Sequence, residues 1–133
     1  MILLDTHALI WADSHANKLG RKSQALLARH WPQAKVAVSA LSFWEVEMLQ
    51  QNQRIRLANA TNQWRQTLLQ GGLIEIAVDG AIALRAAGFT SLHGDPIDRL
   101  IAATALERNA ILLTADERLL AWKSDLQRQD VRL

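Results

Sequence analysis

The sequence has no cysteine, so disulfides and thiolate metal sites are excluded and oxygen and imidazole remain as the available ligands. That is compatible with a reducing cytoplasm. Long apolar runs are also missing, and none approaches the roughly 18 residues of a membrane helix. The apolar opening, Met1 to Leu4, has no basic flank and is interrupted by Asp5 and Asp13, so it does not read as an export signal. The expectation is a cytoplasmic protein with no membrane association. Histidine is sparse, and His7, His15, His30 and His93 show no zinc-ligand spacing. Charge of one sign is scarce too. A net +2 is a weak sign of a polyanionic partner, although arginine, the better phosphate fork, supplies most of the 15 basic residues.

What is present is a chain of 133 residues, half of them hydrophobic, enough for one core and too little for two ordinary ones. One domain spanning residues 1–133 is expected. The short apolar runs at 2–4 and 111–113, both Ile-Leu-Leu, read as buried strands. Residues 35–38 and 74–78 read as two more strands, and 131–133 as an edge strand.

Helices are expected over 6–12, over 21–31 ahead of Pro32, over 41–51, and over 79–87 ahead of Gly88. A further helix carries Leu57, Trp64, Leu68 and Leu69 and stops at Gly71-Gly72. Two more cover 96–108 and 116–122. Strands alternating with helices imply an α/β fold, a mostly parallel sheet covered on both faces.

In such sheets ligands gather beyond the carboxyl ends of the strands. Asp5 follows the first strand, Glu45 lies in the helix after the second, Asp95 and Asp98 open the helix before the fourth, and Asp116 follows the fourth. Each is also a natural helix cap. Ser42 with Glu45 and Thr114 with Glu117 have capping-box spacing, and Asp95-Pro96-Ile97-Asp98 has the order cap, proline, first-turn acid. Capping explains each acid singly, but not their convergence. Two carboxylates about 5 Å apart repel by ~3 kcal/mol at an effective dielectric of 20, more than helix dipoles offset. A hard divalent cation, Mg2+ or Mn2+, is the expected counterweight.

Four segments then form a pattern: Asp5-Thr6-His7-Ala8-Leu9, Ser42-Phe43-Trp44-Glu45-Val46, His93-Gly94-Asp95-Pro96-Ile97-Asp98-Arg99-Leu100-Ile101-Ala102-Ala103, and Leu113-Thr114-Ala115-Asp116. In this order, nearly end to end, they resemble PIN-domain toxins of the VapC type. The resemblance implies a PIN-like three-layer α/β/α sandwich and a metal-dependent ribonuclease, the toxin of a toxin-antitoxin pair. The catalytic and metal-binding acids then fall on Asp5, Glu45, Asp98 and Asp116, with Asp95 as a candidate fifth. Such a toxin acts on RNA, pairs with a cognate antitoxin and forms a homodimer. One departure is visible: Glu47 and Leu49 stand where such toxins often carry a small residue and a lysine. Glu47, two residues from Glu45, faces away from the site on a helix.

Arg99 and Arg118 are candidate phosphate forks, each with an ion pair as its structural alternative. Thr6, Ser39 and Thr114 are candidates for orienting water or metal, with capping as the competing role. His7 and His93 read as loop or supporting residues, not ligands. Trp31, Trp44 and Trp122 read as core or boundary, while Trp11 and Trp64 lie on helices that can line an interface. Two rival functions remain: a non-catalytic RNA-binding protein of the same fold, and a haloacid-dehalogenase-type phosphatase. The phosphatase needs a second Asp two residues after the first, where this chain has His7.

Overall fold

The apolar triplets Ile2-Leu3-Leu4 and Ile111-Leu112-Leu113 lie side by side at the centre of a five-stranded sheet. The computed structural model describes residues 1–133. Its strands are β1 (Ile2–Leu4), β2 (Val36–Ser39), β3 (Ile74–Ile76), β4 (Ile111–Thr114) and β5 (Arg128–Asp130). Every pairing is parallel, in the order β3-β2-β1-β4-β5. Seven α-helices connect them: α1 (Thr6–Ser14), α2 (Arg21–His30), α3 (Ala40–Gln51), α4 (Thr61–Gln70), α5 (Gly80–Ala87), α6 (Pro96–Glu107) and α7 (Glu117–Ala121).

Because strand side chains alternate, β1 feeds two cores. Ile2 and Leu4 pack with α1 to α4 on one face, among Leu9, Leu27, Phe43, Val46, Trp64 and Leu68. Leu3 turns to the other face and packs with Ile82, Ile101, Leu119 and Trp122 beneath α5 to α7. The result is the three-layer α/β/α sandwich that the alternating pattern predicts. Progression from β1 to β3 runs one way across the sheet, and the crossover from β3 to β4 returns past β1 to its other side. With right-handed crossovers, that reversal sends the later helices to the opposite face and opens a crevice between the carboxyl ends of β1 and β4. No helix is long and apolar enough to cross a membrane.

Several local expectations need correction. The edge strand is Arg128–Asp130, not 131–133. The Val131 amide still donates to the Thr114 carbonyl at the end of β4, but the carbonyls of Val131 and Leu133 accept from the amides of Gly20 and Ser23, at 3.0 Å each, so the last residues turn from the sheet to the start of α2. The approach is so close that a Cβ on Gly20 would fall 2.0 Å from the Leu133 carbonyl carbon. Leu57 precedes α4, and its amide donates to Gln50 Oε1 at 2.9 Å. Trp64 is buried, edge-on to Phe43 and bonded through Nε1 to Asp13, whereas Trp44 is the exposed tryptophan at 56%. The capping boxes are absent as drawn: Ser39 caps α3 and Asp116 caps α7.

Candidate active site

Each acid enters the crevice from a different element, and the local chain geometry explains how. Asp5 ends β1 and caps α1: Oδ1 accepts from the Ala8 amide at 2.8 Å, and Oδ2 accepts from the Thr114 hydroxyl at the end of β4. Asp116, just past β4, caps α7 with Oδ1, accepting from the amides of Arg118 and Leu119. Its own amide donates to Thr114 Oγ1 at 3.0 Å. Thr114 therefore ties the ends of the two central strands together.

Glu45, on the second turn of α3, accepts from the hydroxyl of Thr6, whose oxygen lies 3.0 Å from the Ser42 hydroxyl and is free to accept from it. Asp95 caps α6, accepting from the amides of Ile97 and Asp98. Asp98, one turn in, projects from that helix.

All five carboxylates line one open cleft of about 380 Å3, together with Thr6, His7, Trp11, Ile101, Ala115 and Arg118. The tightest grouping is Asp98, Asp116 and His93, whose potential ligand atoms lie within 4.8 Å of one another. His93 is the member that spacing did not reveal, since it sits in the loop before α6 with no helical partner. The available signal was its place in the run His93-Gly94-Asp95 that leads into the acids.

The electrostatics follow from this crowding. Burial, then the neighbouring charges of Asp95, Asp116, Glu45 and Asp5, push the Asp98 carboxyl up to about 7. Burial also raises Asp5, only partly offset by the Thr114 and Ala8 hydrogen bonds and by His7. Positive charge is thin here. Arg118 is the one arginine within 4 Å of any of the five acids, at 3.9 Å from Asp116 and largely exposed. An all-oxygen cluster short of cations, with an imidazole beside it, fits a divalent ion such as Mg2+ or Mn2+.

The other candidates divide. Arg118 stands at the cleft rim. Arg99 does not, because its guanidinium donates to the carbonyls of Ala86, Phe89, Leu92 and His93 and has no nitrogen left to fork onto a phosphate. Ser39 is fully buried and accepts from the Leu41 amide, so it caps instead of facing the cleft. Thr6 and Thr114 hold the acids themselves. Glu47 turns outward to Thr61 and Gln51.

A parallel sheet in the order β3-β2-β1-β4-β5, with a carboxylate cleft at its point of reversal, is the arrangement of a PIN domain. The family model of the PIN domain matches residues 2–123, and the chain belongs to that family. That membership removes the haloacid-dehalogenase alternative.

Among curated proteins, Ribonuclease VapC22 of Mycobacterium tuberculosis (strain ATCC 25618 / H37Rv) is 32% identical over 119 residues, which is 89% of this chain and 88% of the relative. Two solved structures share the fold. A toxin-antitoxin complex from Klebsiella pneumoniae superposes with a TM-score of 0.64 at 22% identity, covering 92% of this chain and 93% of that one. VapBC2 from Rickettsia felis, bound to a DNA fragment from their promoter, gives 0.68 at 20% identity over 97% and 98%.

Proposed function

We propose that this protein is a metal-dependent ribonuclease and the toxin of a toxin-antitoxin pair. The observation that carries the reading is the convergence of Asp5, Glu45, Asp95, Asp98 and Asp116 on one cleft, where burial and then the neighbouring carboxylates push Asp98 up to about 7. The 32% identity to a ribonuclease over most of both chains supports RNA as the substrate.

Asp98 and Asp116, with Asp5, would hold Mg2+ or Mn2+, while Glu45 and Asp95 complete the negative field. Bound there, the ion would supply Lewis-acid polarisation of the phosphate and a more acidic water. The chain's own residues do the positioning. Thr114 fixes Asp5 against β4, Thr6 fixes Glu45, and the caps at Asp95 and Asp116 hold their carboxylates at the helix starts. Arg118, exposed at the rim, is placed to meet an incoming phosphate. Asp98, pushed up to about 7, would be held as the carboxylate by a bound cation.

A cognate antitoxin follows from the likeness to toxin-antitoxin complexes, and a homodimer from the same family reading. Exposed Trp44 is an apolar contact available to either partner.

The decisive variant is Asp5→Asn. Asparagine caps as well as aspartate, so α1 should survive while the charge is lost. Metal-dependent cleavage of RNA should fall by more than the roughly 10- to 100-fold that loss of an outer-shell partner costs. EDTA should stop the wild type, and Mn2+ should restore it. Wild-type cleavage that persists in EDTA, or in Asp5→Asn, would defeat the proposal, and binding without turnover would favour the non-catalytic RNA-binding alternative.

A further inference from the structure

His93 lies close enough to Asp98 and Asp116 to be counted among the groups that bind one ion. Its hydrogen bonding argues for a different task. Nδ1 accepts from the Asp95 amide at 3.3 Å. A neutral imidazole has one N–H, so a ring that accepts at Nδ1 carries its proton on Nε2. That Nε2 is enclosed by protein, has no hydrogen-bond partner, and faces Asp98 Oδ2 at 3.5 Å.

To ligate a metal, Nε2 would have to surrender its proton to Nδ1, setting a ring N–H against the Asp95 N–H. A doubly protonated ring would create the same conflict.

We infer that His93 is a positioning residue for Asp98: its Nε2–H, which has no other acceptor and lies 3.5 Å from Oδ2, is placed to draw that carboxylate oxygen inward and leave the other for the cleft. This assignment rests on the metal site proposed above.

The surrounding loop is built to hold the ring. Residues 88–95 join α5 to α6, and Ser91 adopts a left-handed φ of 60°, a conformation a non-glycine residue keeps only under constraint. Arg99 supplies the constraint. Immediately after Asp98 in α6, it reaches back to the carbonyls of Ala86, Phe89, Leu92 and His93 at 2.9 to 3.4 Å. Trp122 Nε1 holds the Thr90 carbonyl at 3.2 Å. The arginine adjoining the acid thus fixes the loop that carries its hydrogen-bond donor. Partners behind a metal ligand commonly set its orientation in this way.

The test reads the ring directly. In 15N NMR of the metal-free protein, with the His93 signal identified by its loss in His93→Gln, the expected form is Nε2–H with an accepting Nδ1. Adding Mg2+ should leave that proton in place. An Nδ1–H ring, a doubly protonated ring, or an Nε2 that loses its proton to Mg2+ would overturn the assignment.

Calorimetry with Mg2+ gives a second readout. His93→Leu should weaken binding by roughly 10- to 100-fold, and His93→Gln, whose amide N–H reaches the same place, should recover most of the loss. Wild-type affinity in His93→Leu would also overturn it. A wild type that binds neither Mg2+ nor Mn2+ would defeat the proposed function instead, and the metal-free NMR would still decide the role of His93.

Discussion

Three of the five acids that line the cleft also cap helices. Asp5, Asp95 and Asp116 each spend Oδ1 on amides at a helix start, and the remaining oxygen of Asp95 and of Asp116 has no hydrogen bond to the protein. Capping and site-building are therefore not alternatives, which is why the sequence could not separate them. Asp98 has no capping duty and bears the cost of burial and then of its neighbours' charge. Its folded value of about 7 lies above the ordinary aspartate value of 3.8, so the penalty is absent below the lower value, grows between the two and is complete above the higher. Asp98→Asn should accordingly stabilise the metal-free protein by on the order of a few kcal/mol near pH 8 and hardly at all near pH 4. Thermal melts in EDTA at the two pH values measure the difference. The same variant should lose most of the stabilisation that Mn2+ gives the wild type; equal melting temperatures near pH 8 in EDTA would show that Asp98 carries no such strain.

At the scale of elements, short apolar strands and helix stops were legible because each has a local cause. Ile2-Leu3-Leu4 and Leu112-Leu113 are buried on both faces, with Ile111 half-buried at the strand start, and the runs read as such. Asp95-Pro96 opens α6 as the cap-proline pair requires, and Gly88 ends α5. What failed was set by tertiary contact. Arg128–Asp130 pairs with β4 on one side only and needs no apolar signature, while the apolar Val131 beside it is drawn into the core against α2. Arg99 looked like a phosphate fork because no sequence pattern shows that the end of α5 and the loop before α6 fold back to present four carbonyls to it. Caps away from the cleft should behave as caps alone. Asp79 accepts from the Ile82 amide at 2.9 Å, and Asp79→Ala should cost about 1 kcal/mol in urea unfolding. Its Mn2+ affinity should be unchanged, and a parallel loss of metal binding would mean that the two ends of α5 and α6 are coupled.

For the molecule as a whole, the site is a consequence of topology. Strand order places β1 beside β4, so acids more than a hundred residues apart in sequence, Asp5 and Asp116, are joined through one threonine side chain. The sequence showed which residues were acidic and that they followed strands; the repeated Ile-Leu-Leu hinted that two strand ends share a design. It did not show that the fourth strand returns to lie beside the first, or that a loop histidine comes to rest against Asp98. Both depend on the crossover of α5 and α6, a long-range feature with no local marker. The most direct measurement is a crystal soaked in Mn2+ and recorded at the manganese absorption edge. The account predicts an anomalous peak in the cleft, ligated by Asp98 and Asp116 with Asp5 close by and His93 beside Asp98 but not on the ion. A saturated crystal with no ion among these carboxylates, or an ion bound at another surface, would contradict it.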